Sequence, residues 1–191
     1  ETDHHHRTHY YYGLYSGANL NKKLLIFNME GHGDGINASV AIWDKGLIEI
    51  LMETKDCNIG RLYRYITLLL GMKPNEHEAK VMGLSSYSVP YYTKTTYEIF
   101  AQTLKNDGIG FKYNEHPKDH YFWFKKKLEG KRFDAIAGGL NKYVEDLICK
   151  WVKNAIAKTG IKDVVFTGGV GMNIKAMQRL TEIDCLQSLH V

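Results

Sequence analysis

The sequence predicts an α/β protein in which strands and covering helices form layers. Three observations point there. Three apolar, β-rich runs follow a histidine-rich opening; apolar residues fall into a helical period from Gly60 onward; and near residue 164 a buried-strand run breaks at paired glycines and enters a helix.

Taken in order, residues 3–13 read as a helix carrying His5 and His9 one turn apart. Leu24-Leu25-Ile26-Phe27-Asn28 is a run of strand length, and Glu30-Gly31-His32-Gly33-Asp34-Gly35 reads as a glycine-rich turn. Ser39–Trp43 and Leu47–Met52 are two further strands, joined at Asp44-Lys45-Gly46 by a three-residue hairpin loop with Gly46 at positive φ. These three strands are expected to be antiparallel. Leu62, Tyr65, Ile66, Leu69 and Leu70 recur at helical spacing up to Gly71, a C-terminal stop. Glu76–Met82 is a short helix ended by Gly83, and Tyr91–Leu104 is another, closed by Asn106-Asp107-Gly108. Residues 108–119 are polar and irregular, and the stretch 108–132 is the candidate for variable loops. Apolar residues from Ile136 to Ile156 mark a long helix over 133–158 that ends at Thr159-Gly160. Val164-Val165-Phe166, Thr167-Gly168-Gly169 and a helix from near Asn173 follow, and Leu189-His190-Val191 looks like an incoming strand.

Composition bounds the function. Of 191 residues, 44% are hydrophobic and 24% charged, enough apolar surface to build a core, so disorder is excluded as the dominant state. No apolar run reaches the roughly 18 residues of a membrane span, and no secretory signal opens the chain. A net charge of +4 is too mild to imply nucleic acid, and Lys125-Lys126-Lys127 and Lys131-Arg132 read as solvated faces. Three scattered cysteines, Cys57, Cys149 and Cys185, give neither a disulfide framework nor a thiolate zinc site, which fits a reducing, cytoplasmic setting. The chain begins at Glu1 with chemistry-bearing residues in its first ten positions, and it is expected to be a fragment of a longer protein.

Four constellations carry chemistry. In Asp3-His4-His5-His6-Arg7-Thr8-His9, a helix puts His5 and His9 on one face, where two imidazoles can share a divalent metal; a surface histidine cluster or a tag remnant is the plain alternative. His6 points elsewhere, toward a second-sphere or substrate role. Glu30, at a strand end before alternating glycines, is placed to ligate a metal or accept a proton; a conformational hairpin is its alternative. Gly168-Gly169-Val170-Gly171-Met172-Asn173 is a strand-to-helix turn whose backbone N–H groups suit an anion or a ribose-phosphate, although it is neither the dinucleotide fingerprint nor a phosphate loop. Glu76 and Lys80 form an i,i+4 pair within Asn75–Leu84, which by itself is a helix-stabilising ion pair.

In this order the motifs resemble those of the carbamoyltransferase family that includes the nodulation and antibiotic O-carbamoyltransferases. The residues carrying the resemblance are His5-His6-Arg7-Thr8-His9, Glu30-Gly31-His32-Gly33-Asp34, Gly60-Arg61-Leu62-Tyr63 with Thr67, Glu78-Ala79-Lys80-Val81-Met82-Gly83-Leu84-Ser85-Ser86-Tyr87, and Gly168-Gly169-Val170-Gly171-Met172-Asn173. It spans nearly the whole chain, and the Lys-Val-Met-Gly-Leu block is its most specific part. It implies an incomplete actin-like, sugar-kinase-type ATPase (ribonuclease H-like) fold, similar to the tRNA threonylcarbamoyl transferase. Residues 1–191 would then be part of a metal- and nucleotide-binding carbamoyl-transfer domain.

On that resemblance His5 and His9 are ligands of iron, or alternatively zinc, and Glu30 stands near the metal where the family has Asp. Gly168, Gly169, Val170 and Asn173 form the adenosine-binding turn, while Lys80, with Glu76 and Glu78 nearby, borders the phosphate or carbamoyl group. An adenylating domain of the full-length chain converts carbamoyl phosphate and ATP to carbamoyladenylate. This domain passes the carbamoyl group to a hydroxyl of a small-molecule acceptor, with His6 or His32 as general base. The family's third metal ligand, an Asp after the last motif, is expected beyond Val191, so the fragment is expected to be inactive alone. Two other readings are a relative that carbamoylates tRNA or a hydrogenase cysteine, and a non-catalytic actin-like scaffold; Glu30 in place of Asp speaks for the second.

Overall fold

A computed structural model describes residues 5–191. Asp3, His4 and the first part of the expected 3–13 helix lie outside the described residues. Helix α1 (His5–Tyr15) is followed by strands β1 (Leu24–Gly33), β2 (Ile36–Asp44) and β3 (Leu47–Thr54). Helices α2 (Ile59–Leu69), α3 (Glu78–Leu84) and α4 (Pro90–Ala101) come next, then a hairpin of β4 (Leu104–Asp107) and β5 (Gly110–Tyr113). The chain continues with α5 (His120–Leu128), α6 (Phe133–Thr159), β6 (Asp163–Thr167), α7 (Ile174–Thr181) and β7 (Ser188–His190).

Five strands form a mixed sheet in the order β3-β2-β1-β6-β7. The first three are antiparallel, as the sequence predicts, and β6 and β7 run parallel to β1. β1 lies at the centre and is buried on both faces, which its unbroken apolar run requires. Leu25, Phe27 and Met29 face the larger core, beneath α2 and α6, while Leu24 and Ile26 face a smaller one with Tyr10 and Leu14 of α1. The larger core is anchored by Trp151 of α6, whose ring meets Phe27 edge-on at 4.8 Å. No helix is long and apolar enough to cross a membrane among the described residues.

Several boundaries differ from expectation, each for a local reason. β1 does not stop at Asn28: it runs through Glu30 to Gly33, and only Asp34 and Gly35, both at positive φ, make the turn. Between the pairs Met29–Ala38 and Gly33–Ile36, three β1 residues oppose Asn37 alone, a bulge that re-aims the strand end. The β2–β3 loop has two residues rather than three, because Asp44 pairs with Leu47 and both Lys45 and Gly46 take positive φ.

α3 starts at Glu78, not Glu76, because Asn75 sits at positive φ and its N–H is capped by the Glu78 carboxylate at 2.6 Å. Glu76 therefore pairs with Lys73 at 2.5 Å and not with Lys80. Gly83 lies inside α3, which stops one residue later in the 3₁₀ turn Ser85–Tyr87. α4 ends before Leu104, which opens a hairpin, and part of the supposed loop region is helix α5. The Asp119 side chain caps α5 by accepting from the Phe122 N–H at 3.0 Å, and Lys125, Lys126 and Lys127 complement its C-terminal dipole.

Candidate functional site

The first turn of α1 faces the bulged end of β1, and Glu30 is where they meet. Its Oε2 lies 2.9 Å from His5 Nε2 and 3.5 Å from His9 Nε2, and the two imidazole nitrogens are 3.2 Å apart. The i,i+4 geometry of α1 brings the rings to one face, and the bulge turns the carboxylate toward them. The His5 N–H donates to Asp34 Oδ2 at 3.0 Å, tying the start of α1 to the β1–β2 turn. A Cβ on Gly33 would come within 2.6 Å of His5 Cδ2 and 2.7 Å of Glu30 Oε1, so the side chains close over this position because it has none.

His6, on the opposite side of the helix, is fully buried. Its Nδ1 lies 2.8 Å from Ser39 Oγ, and its Nε2 lies 3.1 Å from the Ile36 carbonyl oxygen and 3.3 Å from Glu30 Oε1. His6 thus braces the carboxylate oxygen that His5 and His9 leave free. Asn28 Nδ2 approaches the same Oε1 at 3.4 Å, and Asn28 Oδ1 is a buried oxygen without a hydrogen-bond partner. Over it lies Gly168 at φ 87, where a Cβ would sit 2.2 Å from Asn28 Oδ1. Asn28 is a site residue that pattern reading misses: a polar residue inside a buried strand is its one signal.

Past Glu30, Gly31 and His32 enter a cleft of about 570 Å³, closed on the other side by Gly169, Val170 and Asn173. Its cations are Arg61 and Arg64 of α2. Arg61 Nε donates to the Gly31 carbonyl at 3.0 Å and Nη2 donates to His32 Nδ1 at 3.0 Å. With Nδ1 so used, a neutral His32 carries its proton on Nε2. Lys80 is not part of the lining: Glu78 and Met82, four residues apart, present the α3 face that borders the cleft, and Lys80 projects from the exposed opposite side. The cationic side chains that line the cleft are Arg61 and Arg64 rather than Lys80, the residue expected there.

Asn173 is buried and caps α7, accepting from the Ala176 N–H at 3.1 Å. It donates to Tyr63 Oη at 2.8 Å and to Asn141 Oδ1 at 3.1 Å, so its side chain fixes the turn. Burial, and then the nearby Glu145 charge, push the Tyr63 phenol far up, keeping it a neutral member of this network. Val170 is also buried, so the turn offers the cleft mainly backbone groups.

The chain matches the family model described as carbamoyltransferase N-terminus over residues 1–191. It belongs to that family. Two relatives come from Methanocaldococcus jannaschii. Uncharacterized protein MJ1051 is 29% identical over 184 residues, covering 93% of this chain and 35% of its own length. Uncharacterized protein MJ1058 is 22% identical over 207 residues, covering 98% of this chain and 34% of its own length. The chain thus spans about a third of the curated relatives it matches. Among solved structures, the Acidaminococcus fermentans (R)-2-hydroxyglutaryl-CoA dehydratase component A superposes with a TM-score of 0.50 at 14% identity, over 92% of this chain and 56% of that one. That likeness concerns the fold alone.

The donor set of this carbamoyltransferase N-terminal chain suits a divalent cation. An ion bonded to three N or O atoms at about 2.0–2.2 Å holds them about 2.8–3.6 Å apart, whether the geometry is tetrahedral or octahedral. The three separations here, 2.9, 3.2 and 3.5 Å, all fall in that range. Two imidazoles and one carboxylate on one face are also the donors that ferrous iron takes in facial triads.

Proposed function

We propose that the chain is the metal- and nucleotide-binding part of an O-carbamoyltransferase with an actin-like, ribonuclease H-like fold. Working with an adenylating domain of the full-length protein, it moves a carbamoyl group from carbamoyl phosphate, via carbamoyladenylate, to a hydroxyl of a small-molecule acceptor. Family membership supports carbamoyl transfer, and the mixed sheet with flanking helices supports the fold. The observation that carries the reading is the convergence of His5, His9 and Glu30 beside the cleft that Gly31, His32 and the Gly169 turn enclose.

His5, His9 and Glu30 hold the cation, Fe²⁺ in preference to Zn²⁺, which when bound supplies Lewis-acid polarisation. The chain's own residues do the rest. Gly168, Gly169 and Val170 present backbone to the adenosine portion, with Asn173 fixing the turn from beneath. Arg61 and Arg64 neutralise the phosphate, a role for which guanidinium forks are suited. The acceptor oxygen bonds to the carbamoyl carbon, the bond from that carbon to the phosphate oxygen breaks, AMP leaves with the electron pair, and, with neither histidine free to act as the general base, the acceptor's proton passes to the phosphate of the departing AMP. Of the two histidines considered for that base, His6 is enclosed and acts as a positioning residue. His32 lies at the cleft and, with Arg61 on Nδ1, offers Nε2–H as a donor to the carbamoyl oxygen.

The test is an assay of the full-length protein with carbamoyl phosphate, ATP and a panel of hydroxylated acceptors, read by mass. Gain of one carbamoyl group on an acceptor, lost in His5→Ala and His9→Ala, is the expected result. Modification of tRNA instead, or stoichiometric metal unaffected by either substitution, overturns it.

A further inference from the structure

Arg61 and Tyr65 line a second cavity as well, of about 470 Å³, on the side of α2 where the loop leading into α5 folds over. That size lies within the range of small-molecule sites. We propose that this cavity is the acceptor subsite, and that it takes a hydroxylated ring compound carrying an anionic group, a phosphate ester or a carboxylate. The proposal rests on the carbamoyl-transfer reading for the word acceptor; the ligand chemistry stands on the cavity itself.

Continuity comes first. Arg61 spans the wall between the two spaces, bonded to Gly31 and His32 on the cleft side, so a ligand in the second cavity lies next to the carbamoyl end of the first. Charge comes second. Lys55 and Lys118 line the cavity with Arg61, and among the described residues neither lysine forms an ion pair. Lys55, Arg61 and Lys118 face two acids in the lining, Asp56 and Asp119, so the cavity carries one net positive charge, which a phosphate or carboxylate complements.

Shape comes third. Tyr113 and His116 stack at 3.9 Å with rings 4° from parallel, giving a flat aromatic patch of the kind that packs against the C–H face of a sugar ring. His120 borders the same aromatic patch, its ring 5.9 Å from Tyr113 and 5.6 Å from His116.

Equilibrium binding to the full-length protein, with no carbamoyl donor present, tests this using glucose 6-phosphate, glucuronate and glucose as probes. At least one charged sugar is expected to bind with Kd of about 1 mM or tighter, and glucose about tenfold more weakly or worse. A Lys55→Ala/Lys118→Ala variant is expected to lose about tenfold in charged-sugar affinity, roughly the weight of one charge-assisted contact, with Tm unchanged. Binding of only the phosphate or only the carboxylate identifies which anion the site prefers. Should the double variant fold poorly, His116→Ala, which removes the exposed ring of the stack and is read against the same probes, takes its place and is expected to weaken all sugar binding. The proposal is overturned if no charged sugar binds, if glucose binds equally well, or if a well-folded variant binds unchanged. Because no donor is present, a failure here leaves carbamoyl transfer standing, and a failed transfer assay leaves this site standing.

Discussion

The molecule carries two histidine pairs at the same i,i+4 spacing, and they do different things. His5 and His9 converge on Glu30 with donor atoms 2.9–3.5 Å apart. His116 and His120 have ring centroids 5.6 Å apart, and His116 stacks on Tyr113 instead. The spacing is identical but the backbone is not: the first pair sits on one helix, while His116 lies in the loop before α5. More decisive is the third partner. The first pair meets a carboxylate that a strand bulge delivers and that His6 braces from behind; the second meets aromatic rings, and among the described residues neither of its imidazoles forms an ion pair with Asp56 or Asp119 of the same cavity. Spacing makes a chelate possible, and the acid between the rings completes a donor set that a divalent cation would fit.

That comparison breaks most readily at Glu30. Glu30→Ala removes the shared acceptor of three histidines, and Fe²⁺ affinity of the full-length protein, measured by competition with a chelator, is expected to fall by more than about 100-fold, beyond the loss usual for outer-shell changes. His6→Ala is expected to cost about 10–100-fold in the same assay, the range for an outer-shell partner, with part restored by His6→Gln, which can still hydrogen-bond Ser39 or Glu30. Gly33→Ala should cost about tenfold, because its Cβ would press on His5 Cδ2 and Glu30 Oε1 and displace two of the ligand side chains.

The second pair gives the smallest effect. Burial first, then the neighbouring His116, lowers the His120 pKa below the ordinary 6.5. The fold therefore favours its neutral ring, so its contribution to stability is present above 6.5 and is lost as pH falls through the lowered value. Thermal melts from neutral pH downward should lose Tm less steeply in His120→Gln than in the parent. The same variant should bind iron unchanged.

Much of this was legible in the residues. Three antiparallel strands, the long α6 and the strand–glycine–helix turn follow from apolar period and turn chemistry, and His5 and His9 follow from helical spacing. The β1 bulge was not, because Glu30-Gly31-His32-Gly33 reads locally as turn, and only pairing with β2 shows that the strand continues. The role expected of Lys80 follows from the family resemblance alone; local pattern does not say which face of α3 turns to the cleft, and in the fold Glu78 and Met82 line it while Lys80 is exposed. α5 is hard to read because its adjacent aromatics Tyr121-Phe122-Trp123-Phe124 followed by three lysines show no helical period, although Asp119 before it and the lysines at its end are start and stop signals. Arg61 and Asn28 carried no distinctive spacing; their roles come from the sheet bringing distant segments together.

The most direct test is anomalous scattering at the iron edge from crystals of the full-length protein grown with Fe²⁺. One ion bonded at about 2.0–2.3 Å to His5 Nε2, His9 Nε2 and a Glu30 oxygen is the expected result. An ion bound elsewhere, or one that leaves Glu30 uncoordinated, contradicts it.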